Sequence, residues 1–263
     1  MKIAVSGKGG VGKTTIAAGL AQIFAQQNFK VLAIDADPDS NLALALGVSP
    51  DQEIIPLTHR DKLIEERTGA KPGSVGSYFK LNPRVDDIPE KLGLKIDGVR
   101  LLVMGTVTHG GTGCVCPENA LLRALLRHML LQRDEFLIMD MEAGLEHLGR
   151  GTTEGVDALL VVVEPDIRSI QTAKTIKQLA KDIGVKRVFL IMNKVENEKQ
   201  EQLIVSALKD FKTLGSVPYS ASVRGASLEG KSAFVADKDF AEKISLLQKA
   251  LLKELGQSEK SLI

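Results

Sequence analysis

The sequence is poor in cysteine and in aromatic residues, and it has no excess of charge of either sign. Its 263 residues include two cysteines, Cys114 and Cys116, and aromatic residues make up 4%. A disulfide between cysteines separated by one residue would be strained, so a disulfide-stapled fold is excluded. Lysine and arginine number 34 against 33 aspartate and glutamate residues. This balance gives no reason to expect nucleic acid as a partner.

Long hydrophobic runs are also missing. No stretch reaches the roughly 18 unbroken apolar residues that a membrane-spanning helix needs. The start of the sequence leads from Met1 directly into a glycine cluster, without the charged-then-apolar pattern of a secretion signal. The final amphipathic pattern, between Phe240 and Leu255, has both Lys and Glu on its polar side and predicts a helix docked on the core. We therefore expect a cytoplasmic protein without membrane association.

Short apolar runs rich in Ile and Val alternate with longer helical patterns. The runs lack the alternation of half-buried strands, as is typical of strands covered on both faces. They lie at residues 3–6, 31–36, 101–104, 136–140, 159–164, 188–193 and 214–217. The helical patterns lie at residues 14–27, 119–132, 169–183 and 199–211. This order predicts an α/β fold with a doubly wound, mostly parallel sheet flanked by helices, and ligands at the carboxyl ends of the strands.

The domain organisation follows from the same pass along the chain. No repeat, low-complexity tract or linker divides the sequence, so residues 1–263 are predicted to form a single domain. Residues 51–98 differ in composition, because they hold four of the nine prolines and many charges. We expect this segment to be a surface insertion of short helices and loops.

A phosphate-binding motif follows the first predicted strand. The stretch from Gly7 to Thr14 fits G-x-x-x-x-G-K-[ST] and leads into the first predicted helix, which is the context of a P-loop. Lys13 is expected to reach the β and γ oxygens of a nucleotide, and the Thr14 hydroxyl can ligate Mg²⁺. The backbone N–H groups that would face the phosphates belong to Gly9, Gly10, Val11 and Gly12. The sequence therefore predicts a nucleotide site.

The motif contains a second lysine, Lys8, which a subunit does not need to bind its own phosphates. The stretch from Gly7 to Thr15 resembles the deviant P-loop of the ATPase family that includes the cell-division and plasmid-partition ATPases and the nitrogenase iron protein. The resemblance implies an ATP-dependent homodimer in which Lys8 reaches the partner's nucleotide. It covers most of the chain.

Two acidic positions after predicted strands match the same family. Asp37 resembles the aspartate of the first switch, which orients the attacking water, and Asp140 resembles the acid that holds Mg²⁺ through water. Phosphoryl transfer needs little beyond a positioned nucleophile and neutralised charge, so carboxylates here are chemically reasonable. Glu142 stands where the family commonly has proline. With this departure we expect a slow, Mg²⁺-dependent ATPase.

The end of another predicted strand carries Asn193, Lys194 and Glu196. An amide side chain there can read a purine edge. Guanine-specific enzymes of related architecture have N-K-x-D, and Glu196 occupies the place of that aspartate. The deviant P-loop favours ATP, and a GTPase remains the alternative. Pro218 lies in a segment that resembles the loop with which the family closes over the base.

Cys114 and Cys116 lie in a glycine-rich polar segment between the third predicted strand and a helical pattern. As thiolates they would offer two ligands to a soft or borderline metal ion, and the following helix N-terminus would lower their pKa. Two ligands do not complete a site. A twofold dimer would supply four sulfurs, in a tetrahedral arrangement for Zn²⁺ or a planar one for Ni²⁺.

The deviant P-loop and the Cys-x-Cys segment together resemble the nickel-inserting maturation ATPases of carbon monoxide dehydrogenase. The resemblance implies an accessory protein that binds nickel and delivers it to the active-site cluster of that enzyme under the control of ATP. Three alternatives stay open: a nickel-maturation GTPase, an iron–sulfur-carrying reductase or scaffold ATPase, and a partition or membrane-positioning ATPase. The last has no use for the two cysteines.

Overall fold

The fold was obtained as a computed structural model, and the structure describes residues 1–74, 78–106, 116–133, 135–145 and 155–257. In these residues, strands form one eight-stranded sheet. The strands are β1 (Lys2–Gly7), β2 (Val31–Asp35), β3 (Leu94–Ile96), β4 (Val99–Val103), β5 (Phe136–Asp140), β6 (Ala158–Val163), β7 (Val188–Val195) and β8 (Lys212–Pro218). Every predicted strand is present, and the predicted fold class is confirmed.

The strand order is β3-β4-β2-β5-β1-β6-β7-β8, with β1 near the centre. The chain therefore winds outward from β1 in both directions, and all neighbours are parallel except β3, which is antiparallel to β4. The apolar pattern did not predict β3, because this edge strand has three residues and is only partly buried. A turn at Asp97 and Gly98, with φ of 42° and 84°, connects it to β4. Asp-Gly is a typical hairpin turn, so a local signal did exist.

Helices cover both faces of the sheet. They are α1 (Lys13–Gln26), α2 (Leu42–Ala45), α3 (Asp61–Thr68), α4 (Ile88–Leu92), α5 (Pro117–Gln132), α6 (Ile167–Ile183), α7 (Glu198–Ala207), α8 (Ala221–Leu228), α9 (Ala233–Ala236) and α10 (Lys238–Glu254). Along β1, Ile3 and Val5 belong to the core under α1 and α10, whereas Ala4 belongs to the core under α5 and α6. Burial on both faces explains why the strand sequences do not alternate.

Residues 51–98 contain a 3-10 turn (Leu57–His59), the short helices α3 and α4, and β3. Helix α3 contacts α5, and Leu57, Ile64 and Ile88 are buried in the core on the α5 side of the sheet. The segment thus closes one end of that core. That it is an insertion relative to related chains stays a prediction. In the described part of the chain, no helix has the length and apolar character to cross a membrane.

Candidate functional site

The P-loop connects β1 to α1 at the carboxyl end of the sheet. At two of its positions the neighbouring strands approach so closely that a Cβ would overlap with them. Gly12 precedes α1 with φ of 91°, and a Cβ there would lie 2.3 Å from Nδ2 of Asn193 on β7. A Cβ on Gly7 would lie 2.5 Å from the carbonyl oxygen of Val162 on β6. Any side chain at these positions would push the loop off the sheet.

Two consecutive residues of β7 hold the backbone of the P-loop. The Nδ2 of Asn193 donates to the carbonyl of Val11 at 2.7 Å, and the Nζ of Lys194 donates to the carbonyl of Gly10 at 2.5 Å. Lys194 also pairs with Glu164 at 2.9 Å. The β7–β8 register shifts between Asn193 and Val195, and Lys194 has φ of 57°. This bulge turns successive side chains of β7 toward the same loop.

Lys13, the first residue of α1, is paired with Asp37 from the segment after β2. Its Nζ lies 2.5 Å from Oδ2 of Asp37, and the two side chains are 11% and 9% exposed. Asp37 is held in turn by Asp35, whose carboxylate accepts the N–H groups of Asp37 at 3.3 Å and Leu42 at 2.9 Å. The structure therefore brings two of the three predicted catalytic residues, Lys13 and Asp37, into contact.

Asp35 and Asp140 end the neighbouring strands β2 and β5 side by side. Burial raises the pKa of Asp35 to about 7, with the charge of Asp140 adding to the rise and the hydrogen bonds from Leu42 and Asp37 opposing it. Burial likewise raises the pKa of Asp140 to about 6, against the lowering effects of the Thr14 hydroxyl and of Lys13. Two ionisable carboxylates with elevated pKa values thus lie at one place in the sheet.

Asp140 fits the predicted Mg²⁺ position. Among the described residues, neither carboxylate oxygen of Asp140 has a hydrogen-bond partner of good geometry, although the Thr14 hydroxyl is near enough to lower the pKa. A buried carboxylate in this condition is costly unless a cation or a proton compensates it. Thr14 and Asp140 together therefore have the donor chemistry for Mg²⁺, which prefers oxygen ligands and retains water.

Lys8 lies at the opposite side of the P-loop from the pair formed by Lys13. Its Nζ is 3.8 Å from Oδ2 of Asp166, and both side chains are about one third exposed, 32% and 31%. Asp166 also caps α6 by accepting the N–H of Ser169 at 3.3 Å. The ammonium group of Lys8 is thus within reach of solvent, as a residue directed to a second subunit must be.

The ends of β7 and β8 bring Asn193 and Pro218 to the same edge. Val195 pairs with Pro218, and the N–H of Tyr219 donates to the carbonyl of Val195 at 3.2 Å. Pro218 is exposed there, as a base-closing residue would be. Glu196 is also exposed, and its carboxylate accepts a hydrogen bond of 3.4 Å from Gln200.

The predicted metal ligands are described in part. Cys116 is 8% exposed and directly precedes α5, where its carbonyl accepts the N–H of Ala120 at 3.0 Å. Cys114 lies outside the described residues. Within the described ranges, no three His, Cys, Asp or Glu side chains are grouped so that they could hold a metal ion.

Sequence reasoning missed three residues that shape the nucleotide site. The resemblance to the first switch points to Asp37 and not to Asp35, although an acid at the end of a buried strand is a signal in itself. The motif around Asn193 points Lys194 only to base selection, because its contact with the P-loop depends on the bulge in β7. Glu164, which ends β6 and pairs with Lys194, carried no recognisable motif.

Comparison with known proteins agrees with this geometry. Residues 2–233 match the family model of the CobQ/CobB/MinD/ParA nucleotide binding domain, and the chain belongs to this family. It is 46% identical over 261 residues to the carbon monoxide dehydrogenase accessory protein CooC of Rhodospirillum rubrum. The matched region covers 98% of this chain and 99% of that protein. The predicted resemblance to this group of ATPases is therefore confirmed.

Two further proteins are similar to this chain. The uncharacterized ATP-binding protein MJ0823 of Methanocaldococcus jannaschii is 53% identical over 233 residues, covering 88% of this chain and 90% of that protein. The septum site-determining protein MinD of Pyrococcus horikoshii OT3, solved with Mg-ADP, matches with a TM-score of 0.68 at 21% identity, covering 97% of both chains. At this identity, the match with MinD shows the shared fold.

Proposed function

We propose that this protein is an ATP-hydrolysing accessory protein of carbon monoxide dehydrogenase, which captures nickel through Cys114 and Cys116 and delivers it to that enzyme's active-site cluster. The observation that carries the proposal is the 46% identity with the accessory protein CooC over almost the whole chain. The pairing of Lys13 with Asp37 beside the buried Asp140 supports the nucleotide chemistry.

The deviant P-loop favours ATP over GTP. The amide nitrogen of Asn193 donates one of its two N–H groups to the carbonyl of Val11, so its second N–H and its Oδ1 can both meet the edge of a base, and this side chain does not decide between adenine and guanine. Glu196, at the place of the guanine-reading aspartate, is exposed and hydrogen-bonded to Gln200. Competition between ATP and GTP for the site tests this preference, and tighter binding of GTP would favour the GTPase alternative.

The side chains suggest how hydrolysis proceeds. Incoming phosphates compete with Asp37 for Lys13, so nucleotide binding separates the pair seen at 2.5 Å. The released carboxylate of Asp37 can then accept a hydrogen bond from the attacking water and orient it. Thr14 and, through water, Asp140 would hold Mg²⁺, which would neutralise charge on the phosphates. Glu142, at the place where the family commonly has proline, is the feature from which we infer slow turnover.

Lys8 makes hydrolysis and dimer formation interdependent. Its partly exposed ammonium group would bind the phosphates of the partner's nucleotide, and a charge-assisted contact of this kind contributes about 1.5–3 kcal/mol. That is enough to tighten a weak dimer by about tenfold or more. Lys8→Ala should therefore bind ATP and stay monomeric in sedimentation or light-scattering measurements. ATP-dependent dimers of this variant would contradict the role of Lys8.

The number of thiolates in each chain sets the expected stoichiometry of the metal site. Each chain offers two thiolates, and a closed four-sulfur site needs two chains, so one Ni²⁺ or Zn²⁺ should bind per dimer. ATP would then influence metal capture through the dimer. The deciding experiment is metal analysis together with molecular mass for the reduced protein, with and without ATP.

Two variants make that experiment specific. Cys114→Ala and Cys116→Ala should each lose the metal while they still hydrolyse ATP. Lys13→Ala is the matched control, because it loses the nucleotide and keeps all thiolates. One metal per monomer, unaffected by loss of either cysteine, would refute the shared site. The absorption bands of an iron–sulfur cluster in anaerobically purified protein would instead favour the iron–sulfur alternative.

Delivery to the client is tested separately. Carbon monoxide dehydrogenase matured at limiting nickel with either cysteine variant should remain without its nickel. Fully active enzyme under these conditions would refute the metal-delivery role, while the ATPase assignment would stand.

A further inference from the structure

The segment between β8 and α8 contains the predicted base-closing residue. Pro218 ends β8, and Ser220 is the N-cap of α8, where its Oγ accepts the N–H of Val223 at 3.3 Å. Between them, the N–H of Tyr219 donates to the carbonyl of Val195 at 3.2 Å. The start of the segment is therefore fixed to β7, the strand that also bonds to the P-loop.

The two helices that follow the segment are packed very differently. Of the eight residues of α8, all of which the structure describes, Ala226 alone is buried. Helix α10 has a continuous apolar face, on which Phe240, Ile244, Leu247 and Leu251 are at most 4% exposed and lie in the same core as α1. The position of α8 therefore depends on its contacts with better-packed elements.

Asp237 makes such a contact between the two helices. It is the N-cap of α10 and is 8% exposed, and its Oδ1 accepts the N–H of Phe240 at 2.9 Å. Its other oxygen, Oδ2, accepts the hydroxyl of Ser220 at 2.6 Å and also the hydroxyl of Ser222. A single carboxylate thus joins the start of α10 to the start of α8.

Helix capping alone does not account for an aspartate at this position. Serine and asparagine cap a helix about as well as aspartate does. A carboxylate differs because, after it has accepted the cap N–H, its second oxygen still has acceptor sites for two hydroxyls. Hydrogen bonds to an ionised acceptor are short and strong, so the hydroxyl of Ser220 is held closely, directly beside Tyr219.

We propose that Asp237 is a positioning residue for the nucleotide base, acting through Ser220 on the segment that contains Pro218. The inference rests on the proposed nucleotide site, with Pro218 as its base-closing residue. The role needs no contact between Asp237 and the nucleotide, because Asp237 ties the segment to α10 while Val195 ties it to β7. A segment held on both sides is preorganised, so less conformational entropy is lost when a base binds against it.

Inorganic tripolyphosphate separates the base from the phosphates, because it offers a phosphate chain to the P-loop without a nucleoside. Binding of ATP and of tripolyphosphate to the intact chain is measured with Mg²⁺ by isothermal titration calorimetry. Asp237→Ser keeps a good N-cap but is too short to reach both hydroxyls, so ATP should bind about fivefold to tenfold more weakly. Tripolyphosphate affinity should stay at the wild-type value. Asp237→Asn keeps the cap through its Oδ1 and can donate to the hydroxyls through its amide, so it should restore ATP binding.

Asn197→Ser is the matched control, because it exchanges the N-cap of α7, which accepts the N–H of Gln200, and should change neither affinity. Unchanged ATP affinity in Asp237→Ser would overturn the proposal. An equal loss for ATP and tripolyphosphate would overturn it too, since it would report a general distortion, and so would an Asp237→Asn variant as weak as Asp237→Ser.

If Asp237→Ser does not fold, Ser222→Ala decides, because it removes one of the two hydroxyls from an exposed position. Weaker ATP binding at unchanged tripolyphosphate affinity supports the proposal, and unchanged binding of both overturns it. Equal affinity of the wild-type protein for the two probes would show that the base adds nothing, which also overturns the proposal. Failure of the wild-type protein to bind either probe would instead refute the proposed nucleotide site.

Discussion

The phosphate site and the cysteine segment both follow strands at the carboxyl edge of the same sheet, yet they are supported differently. The P-loop is held by the strands beside it, through Asn193 and Lys194 of β7 and the close approach of β6 to Gly7. The cysteine segment is held at both ends by residues 51–98, through Thr58 and Gly73. The P-loop is therefore supported by its neighbours in the sheet, whereas the described residues on either side of the cysteine segment are bonded to residues outside the parallel strands.

The largest expected effect is a loss of ATP binding that leaves the cysteine segment unaffected. Lys13→Ala should weaken ATP binding by about 100-fold or more, because a buried ammonium group that meets several phosphate oxygens is lost. Isothermal titration calorimetry measures the change. Zn²⁺ binding without nucleotide should remain at the wild-type level. A parallel loss of Zn²⁺ affinity would mean that the two regions are not independently supported.

The next effect divides binding from turnover within the phosphate site. Asp37→Asn removes the carboxylate that occupies Lys13, so ATP should bind at least as tightly as to the wild type. Turnover should fall by about 100-fold, as is usual when a group that handles the attacking water is removed. Phosphate release and nucleotide titration measure the two quantities. Asp39→Asn, at an exposed neighbour, is the control, and full turnover by Asp37→Asn would remove Asp37 from the mechanism.

A smaller effect tests the support that β7 provides. Lys194→Met removes the contact with the carbonyl of Gly10 and leaves Glu164 without its lysine. ATP affinity should fall about fivefold to tenfold, or about 1–1.4 kcal/mol, which is less than for a charged contact with the nucleotide itself because Lys194 acts through the loop. Lys199→Met, at an exposed position on α7, should change nothing. If both variants bind ATP equally well, Lys194 has no part in shaping the loop.

The last effect is on stability and concerns Asp35, which lies between the two regions. Its pKa of about 7 exceeds the usual 3.8, so the folded state holds a proton that the unfolded state has already lost at intermediate pH. Stability from this group is therefore complete below pH 3.8 and is lost as the pH rises to about 7.

Asp35→Asn should remove this pH dependence. The variant should gain stability relative to the wild type between about pH 4 and pH 7, by about 1–2 kcal/mol. The raised pKa alone would correspond to more, but an amide cannot repeat both hydrogen bonds from Asp37 and Leu42. Denaturant unfolding at both pH values measures the difference. A difference that does not vary with pH would show that Asp35 does not titrate in this range.

Much of the sheet and of the phosphate site could be predicted before the structure was known. Strands covered on both faces are apolar along their whole length, and the P-loop is a contiguous motif whose glycines and lysine act through their own backbone and side chain. The edge strand β3 was missed, because three partly buried residues give too short a pattern. The bulge that directs Lys194 to the P-loop was missed for a related reason, since a register shift between two strands has no counterpart in one of them.

What the sequence by itself determined is therefore the order of the strands other than β3 and of the longer helices, the P-loop, and the acid that ends β5. The tertiary structure alone decided which distant groups meet. The pairing of Lys13 with Asp37, the contact of Lys194 with Gly10, and the tie between Glu118 and Gly73 each join residues from separate elements. Hydrophobic periodicity and local motifs report what a residue does within its own segment, whereas these contacts exist only once both faces of the sheet are packed.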